Sequence, residues 1–393
     1  MDLELFARSP IGALVPISGY DTQLRRDYRY QAFVPHPLPS VVPLSQATYK
    51  RAMEAERALG RLDGATGLLP NPDLLIRPTL FREAQSTSAL EGTYAPLREV
   101  IEADIVADQE QSAEVREIRN YVRAAERALV LLRERPICLT VIAELQGLLV
   151  HGTRGGLADA GQLRSGPVYI GERGKGIEAS RFVPPPPGAA LIEGVSAWEK
   201  WINAEDDTPL LVKAALGHYQ FETLHPFSDG NGRLGRLIIV LQLVEGGALA
   251  RPILNLSPYF EARRDTYMDL LLQTSTSGDF EPWVRFFADA VIAQAVDTTS
   301  RIRKLANFRQ HMLDVLGAER ARGVVLEVAR GLIDSPVVTI PGLATRHGVT
   351  YPPAKKAVER LVALGFLADA TAGNYGKVYF CPEVLSILES AEA

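Results

Sequence analysis

The stretch His225-Pro226-Phe227-Ser228-Asp229-Gly230-Asn231-Gly232-Arg233-Leu234-Gly235-Arg236 runs directly into Leu237-Ile238-Ile239-Val240-Leu241-Gln242-Leu243. This junction constrains the fold more than any other feature of the chain. The second segment is apolar nearly all round, which predicts a helix buried on every side. The glycine-flanked turn opens that helix and places two arginines in its first turns. Cations at a helix N-terminus oppose the macrodipole and face unpaired N–H donors, an arrangement that makes sense when an anion sits between them. The junction therefore reads as a polyphosphate-handling site on a buried helix.

Each residue can be assigned a task on those grounds. Gly230 and Gly232 permit positive φ and close approach, so the amides around Asn231 can form an anion-binding nest. Arg233 and Arg236 are three apart and share a helix face, where two guanidinium forks can grip successive phosphates. Asp229 is a hard oxygen ligand suited to magnesium. His225 alone in the motif titrates near neutrality, which suits a general base. Taken singly, each has an ordinary reading: Gly-Asn-Gly is a common turn, and Asp before Gly commonly caps a helix.

Competing ligand motifs fail on spacing. An EF-hand loop starting at Asp229 would place Arg233 at its fifth position and Val240 at its twelfth, where a bidentate Glu is needed. Gly171-Glu172-Arg173-Gly174-Lys175-Gly176 lacks the spacing of a phosphate-binding P-loop and its Ser or Thr after Lys. His218 and His225 are seven apart, and no His-Glu-x-x-His occurs, so zinc is unsupported.

The motif resembles the Fic family signature, His-x-Phe-x-Asp/Glu-Gly-Asn-Gly-Arg-x-x-Arg, at every specified position, and Leu216 to Leu224 is similar to the family's lead-in helix. The resemblance implies a helical core that transfers AMP from ATP to a Ser, Thr or Tyr hydroxyl of a target protein, or of the chain itself, releasing pyrophosphate. It implies His225 as base, Asp229 as the Mg2+ ligand, Gly230, Asn231 and Gly232 as the anion hole, Arg233 on the inner phosphates and Arg236 on the γ-phosphate. Phe227 reads as a packing residue of the loop. Thr87-Ser88-Ala89-Leu90-Glu91-Gly92 fits the family's inhibitory pattern Ser/Thr-x-x-x-Glu-Gly/Asn. There the implication is that Glu91 pairs with Arg236 and blocks the γ-phosphate. The ordinary alternative is a solvated Glu91 at a helix end with Gly92 as its C′ residue. Tyr267 is expected either to border the adenine or to pack in the core.

The fold expected is mainly α: a Fic helical core with a small β-hairpin flap, plus a C-terminal winged helix-turn-helix domain. The expected segmentation is an N-terminal arm and helical domain with the inhibitory motif over 1–110, the core over 111–300, a linker helix over 301–320 and the winged-helix domain over 321–393. Residues up to about 42 read as an extended arm. Periodicity predicts helices over Ser45–Leu62, Thr79–Leu90, Pro96–Ile105 and Ala113–Glu134. Gln162 to Gly171 alternates like a strand, and Arg181-Phe182-Val183 can pair with it across a glycine-rich turn. This resembles the family's flap, which holds a target segment by β-augmentation.

In the tail, Val324–Leu332, Ile340–Arg346 and Pro352–Leu364 read as helices. Phe366–Phe380 reads as a strand pair with a turn at Gly373-Asn374-Tyr375-Gly376. Gly348 is expected in the turn between helices. Thr350 is expected to cap a recognition helix whose Lys355, Lys356 and Arg360 can meet DNA phosphates. From Ala321 onward seven basic residues face seven acidic ones. Docking to protein, or assembly into a homodimer, is therefore nearly as well supported as DNA binding. The alternative function is a DNA-binding regulator with a nucleotide-sensing or AMP-removing core.

Composition limits the remaining possibilities. A net charge of −5 over 393 residues argues against a general polyanion-coating role. Cys138 and Cys381 show no metal or redox spacing and read as structural thiols. No apolar run is long enough to span a membrane, and the acidic start is unlike a signal peptide, so a cytoplasmic enzyme is expected.

Overall fold

The computed structural model describes residues 1–21, 24–103, 111–153, 158–171, 175–369 and 377–390. In chain order the elements are α1 (Leu3–Ala7), β1 (Gly12–Asp21), β2 (Arg26–Pro35), α2 (Gln46–Ala65), α3 (Ile76–Leu90), α4 (Leu97–Glu102) and α5 (Ala113–Leu131). Next come α6 (Leu139–Leu149), α7 (Ala189–Ile202), α8 (Leu210–Leu224), α9 (Asn231–Glu245), α10 (Ser257–Ala262), α11 (Arg264–Ser277) and α12 (Glu281–Ala318). The chain closes with α13 (Val324–Gly331), β3 (Val337–Thr339), α14 (Ile340–Arg346), α15 (Tyr351–Ala363), β4 (Ala368–Asp369), β5 (Val378–Phe380) and α16 (Pro382–Glu389). The protein is mainly helical, with two small antiparallel sheets ordered β1-β2 and β3-β5-β4. Among the described residues no helix is long and apolar enough to cross a membrane.

Two compact units divide the chain. The first comprises Met1–Arg57, Arg123–Ala248 and Leu256–Ile292. Its centre is the pair α8 and α9, neither of which has a solvent face: Asn231 through Leu243 are all buried, as is α8 except for Leu210 and Glu222. Close packing of the pair depends on Gly235, where a Cβ would lie 2.6 Å from Glu222 Oε1 and 3.1 Å from the Phe221 ring. Two buried indoles, which need acceptors when removed from water, donate to α8 carbonyls: Trp198 to Gly217 at 2.9 Å and Trp283 to Ala215 at 2.8 Å.

The N-terminal residues do not form an extended arm. They form a ten-residue antiparallel hairpin, in register from Gly12 opposite Pro35 to Asp21 opposite Arg26. Apolar burial drives it: Tyr28 and Ala32 pack with Ile177 and Val183, and Phe33 packs with Phe6 and Phe182. The expected flap pairing is reduced to a single antiparallel bridge, Ile170 with Phe182, while the Phe33 N–H donates to the Val183 carbonyl at 2.9 Å. Proline explains the brevity, since Pro167 and Pro184 to Pro187 have no N–H with which to extend a ladder. Residues 172–174 of the intervening glycine-rich turn lie outside the described residues.

The second unit comprises Ala58–Val122, Leu249–Asn255 and Ala293–Ala393. Within it Asp297 of α12 is shared by two cations, Arg82 of α3 at 3.1 Å and Arg301 at 2.9 Å, and Arg301 also donates to the Leu388 carbonyl at 3.0 Å. A carboxylate between two largely buried guanidinium groups offsets the desolvation that either cation alone would suffer. The helix expected over 301–320 is instead the second half of α12, which runs unbroken because no Gly or Pro interrupts Trp283 to Leu316. The C-terminal elements follow the order helix, strand, helix, helix, strand, strand, helix. Strand β3 and helix α16 are both additions to the sequence reading. The expected turn at 373–376 lies outside the described residues. Gly348 does occupy the turn between α14 and α15, at φ +61°. Thr350 stands at the N-cap of α15 without a side-chain bond. The N–H groups a cap would bind belong to Pro352 and Pro353, which have none.

Candidate active site

The site is built on the connection between α8 and α9. Helix α8 ends at His225, whose φ of 48° and ψ of 62° are left-handed, and the His225 N–H bonds the Phe221 carbonyl at 2.9 Å. A non-glycine residue in this region costs on the order of 1–2 kcal/mol, so surrounding contacts must hold it there. The chain then turns through a buried Phe227 and enters α9 at Gly230, which is also left-handed at φ +79°. Between them, the Asn231 carboxamide accepts the Phe227 N–H at 2.9 Å and donates to the Phe227 carbonyl at 2.7 Å. Asn231 is 2% exposed, so its side chain closes the loop, and its backbone N–H opens α9, whose first turn has no intrahelical acceptors.

The charged residues cluster around that opening. Asp229 Oδ1 accepts the Gly230 N–H at 2.7 Å and lies 3.5 Å from the Arg233 guanidinium. Arg233 and Arg236 are buried at 3% and 2% exposure, deeper than a freely solvated phosphate grip. Gln146 of α6 bridges the loop to the flap segment, donating to the Asp229 carbonyl at 3.0 Å and accepting from the Gly161 N–H at 2.6 Å. Ser228 donates to Asp159 at 2.6 Å.

Whether the site suits a divalent cation can be judged from Asp229. Among the described residues its hydrogen bond and its ion pair both fall on Oδ1, and the side chain is 40% exposed. Among the described residues there is no group of three or more His, Cys, Asp or Glu. A single part-exposed carboxylate fits magnesium, which is commonly held by one or two carboxylates together with substrate phosphates and waters.

Behind the site, His218 is fully buried, with Nε2 2.8 Å from the Tyr267 hydroxyl and its ring stacked on Phe260, Tyr267 and Trp283. Burial, reinforced by the positive charge of Arg236, pushes the His218 pKa down to about 3, so the ring is neutral. Tyr267 is 2% exposed and lies 4.8 Å from Phe260 between ring centroids. It is a core tyrosine here, with no open ring face for adenine.

Sequence reasoning missed Arg164. It is 2% exposed, and its guanidinium donates to the His225 carbonyl at 2.8 Å and to the Pro185 carbonyl at 2.5 Å. A lone cation in the otherwise uncharged Gln162–Gly171 run was the available signal. Gln146 and Asp159 offered none.

The remaining candidates lie in the second unit. Thr87 is fully buried in α3, while Glu91 is the exposed C-cap residue and Gly92 follows at φ +87°. On α15, Lys355, Lys356 and Arg360 are exposed, but Lys355 lies 3.6 Å from Glu359 and Arg360 is paired with Glu319. Cys381 is buried, which pushes its thiol up to about 11, in keeping with a structural role.

Residues 49–130 match the model described as Fic/DOC family N-terminal, and residues 136–243 match the Fic/DOC family model. The chain is 30% identical over 224 residues to "Protein adenylyltransferase Fic" of Drosophila ananassae, covering 53% of this chain and 39% of that protein. It is 35% identical over 133 residues to the protein of the same name from Culex quinquefasciatus, covering 33% and 23%. The matched region thus spans well under half the length of these relatives. Among solved structures, a Fic family protein from Desulfovibrio desulfuricans G20 aligns with a TM-score of 0.57 at 19% identity, covering 88% of this chain and 98% of that one. A Fic-1 fragment from C. elegans aligns at 0.51 and 22%, covering 65% and 74%. At these identities the likeness is one of fold.

Proposed function

We infer, from a chain that belongs to the Fic/DOC family, that this protein is an adenylyltransferase acting on protein hydroxyl groups. One observation carries the reading: the loop closed by Asn231 gathers His225, Asp229, two glycines and two arginines at the start of a buried helix. In this mechanism ATP lies with its phosphates at the N-terminus of α9. A Ser, Thr or Tyr oxygen attacks the α-phosphorus in line. His225 accepts the hydroxyl proton as the new O–P bond forms, and the bond from the α-phosphorus to the bridging oxygen breaks, with pyrophosphate leaving. The Gly230 to Gly232 amides, Arg233 and Arg236 offset the charge that builds on the phosphates. Asp229 would hold magnesium, which when bound neutralises phosphate charge. Transfer of label to protein from α-labelled but not γ-labelled ATP tests the reading.

Two further roles belong to the same proposal. The Thr87 to Gly92 pattern supports self-restraint by Glu91. The element order after α12 supports a winged-helix module, for which a docking or assembly role is favoured because Lys355 and Arg360 are already paired with acids. A cytoplasmic setting suits an enzyme that draws on ATP.

A further inference from the structure

We propose that Arg164 is a positioning residue of the transfer reaction, holding the backbone of His225 and tying it to both ends of the flap segment. The inference rests on the proposed role of His225. The guanidinium donates Nε–H to the His225 carbonyl at 2.8 Å and Nη2–H to the Pro185 carbonyl at 2.5 Å. Longer contacts reach the Gly166 carbonyl at 3.3 Å and the Leu224 carbonyl at 3.4 Å, and the Arg164 backbone N–H donates to the Pro226 carbonyl at 3.0 Å. One residue therefore touches three consecutive residues of the catalytic loop, Leu224, His225 and Pro226. It also meets the entry to the flap segment at Gly166 and its exit at Pro185.

The chemistry argues against a merely structural side chain. Arg164 is 2% exposed, and among the described residues its side-chain acceptors are all carbonyl oxygens, with no carboxylate. Burying an unpaired cation is costly, and an apolar residue would fill the volume without that cost. What an apolar residue cannot do is satisfy carbonyls on both sides. Those of Leu224 and His225 end α8, where the last carbonyls lack intrahelical donors and a cation complements the macrodipole. The fork thus stabilises a left-handed histidine that would otherwise relax. Burial lowers the Arg164 pKa to about 10, so the cation persists at neutral pH.

A lysine keeps the charge but offers one nitrogen, which cannot serve His225 and Pro185 in the same fork geometry. Arg164→Lys in the full chain is therefore the main variant, with Arg164→Gln as the alternative should the lysine form show no cooperative unfolding. The rate and KM for α-labelled ATP are measured, with ATP affinity by calorimetry. The imidazole resonances are followed by NMR in histidine-labelled protein, with the His225 signal assigned by its loss in His225→Gln. The expected result is a fall in kcat of about 10²-fold, the scale of a misplaced reacting group, with ATP affinity and KM within about twofold. The His225 resonance should also be displaced or broadened while that of His218 stays in place. An unmoved His225 resonance overturns the proposal, as does a loss of ATP affinity as large as the loss of rate. If neither the unaltered chain nor Glu91→Gly transfers label, the adenylyltransferase reading fails, and the resonance alone decides whether Arg164 positions His225.

Discussion

The side-chain amide of Asn231 bonds both backbone groups of Phe227, accepting at 2.9 Å and donating at 2.7 Å, and so clamps the loop that carries Asp229 and Gly230. Both atoms of the clamp are buried, and its two bonds fix the approach of α8 to the opening of α9. Asn231→Ala leaves the Phe227 N–H and carbonyl without partners inside the protein, at about 1–3 kcal/mol for each stranded group. The expected outcome is a clear drop in unfolding free energy in urea together with weaker nucleotide binding. A variant as stable as the unaltered chain contradicts the clamp.

His218 gives the pH dependence a direction. Its folded pKa of about 3 is depressed below the unfolded value near 6.5, so the unfolded chain binds the extra proton between those limits. The stability contributed by neutral His218 is fully present above about pH 6.5 and is lost as pH falls, with a slope approaching 1.4 kcal/mol per pH unit. Urea unfolding at pH 7 and pH 5 should show a steeper loss for the unaltered chain than for His218→Gln. Parallel profiles would remove His218 as the source.

The C-terminal module should bind duplex DNA poorly. Lys355 and Arg360 already face Glu359 and Glu319, so among the described residues only Lys356 of the three expected contacts has no acidic partner. Each phosphate contact contributes to the salt slope, so one cation predicts a slope near −1 on a log–log plot. A titration at two salt concentrations checks this. A slope several times steeper would restore DNA binding as the role of α15.

How far the sequence reveals this molecule depends on the scale of each feature. The loop from His225 to Arg236 is legible because its residues are consecutive and chemically unusual. Helices α2 to α5 are legible because their apolar residues recur at helical spacing. The N-terminal hairpin is not, because its Pro, Tyr and Arg content reads as an extended arm. A Cβ on Gly19 would lie 2.5 Å from the Tyr28 hydroxyl across the strand pair, a contact no local pattern announces. Strand β3 is three residues long and gains its identity only by pairing with β5. Arg164 acts on carbonyls 60 and 61 residues away, and Gln146 on one 83 away, so their roles exist only in the folded chain.

Glu91 supplies a test in which activity rises. If it restrains the enzyme, Glu91→Gly modifies protein with α-labelled ATP faster than the unaltered chain under matched ATP and magnesium. Combined with His225→Ala, the gain should vanish. An unchanged rate for Glu91→Gly returns Glu91 to the role of an exposed C-cap residue of α3.

The central claim is that His225 removes a proton from a protein hydroxyl as AMP is transferred. Its most direct test is incorporation of label into protein from α-labelled and from γ-labelled ATP, in the unaltered chain and in His225→Ala. The account predicts α-label only, and a loss of roughly 10²–10⁴-fold or more in the variant, which still binds ATP through α9 and its arginines. Equal α-label transfer by the unaltered chain and His225→Ala, or label arriving from the γ-position, would contradict it.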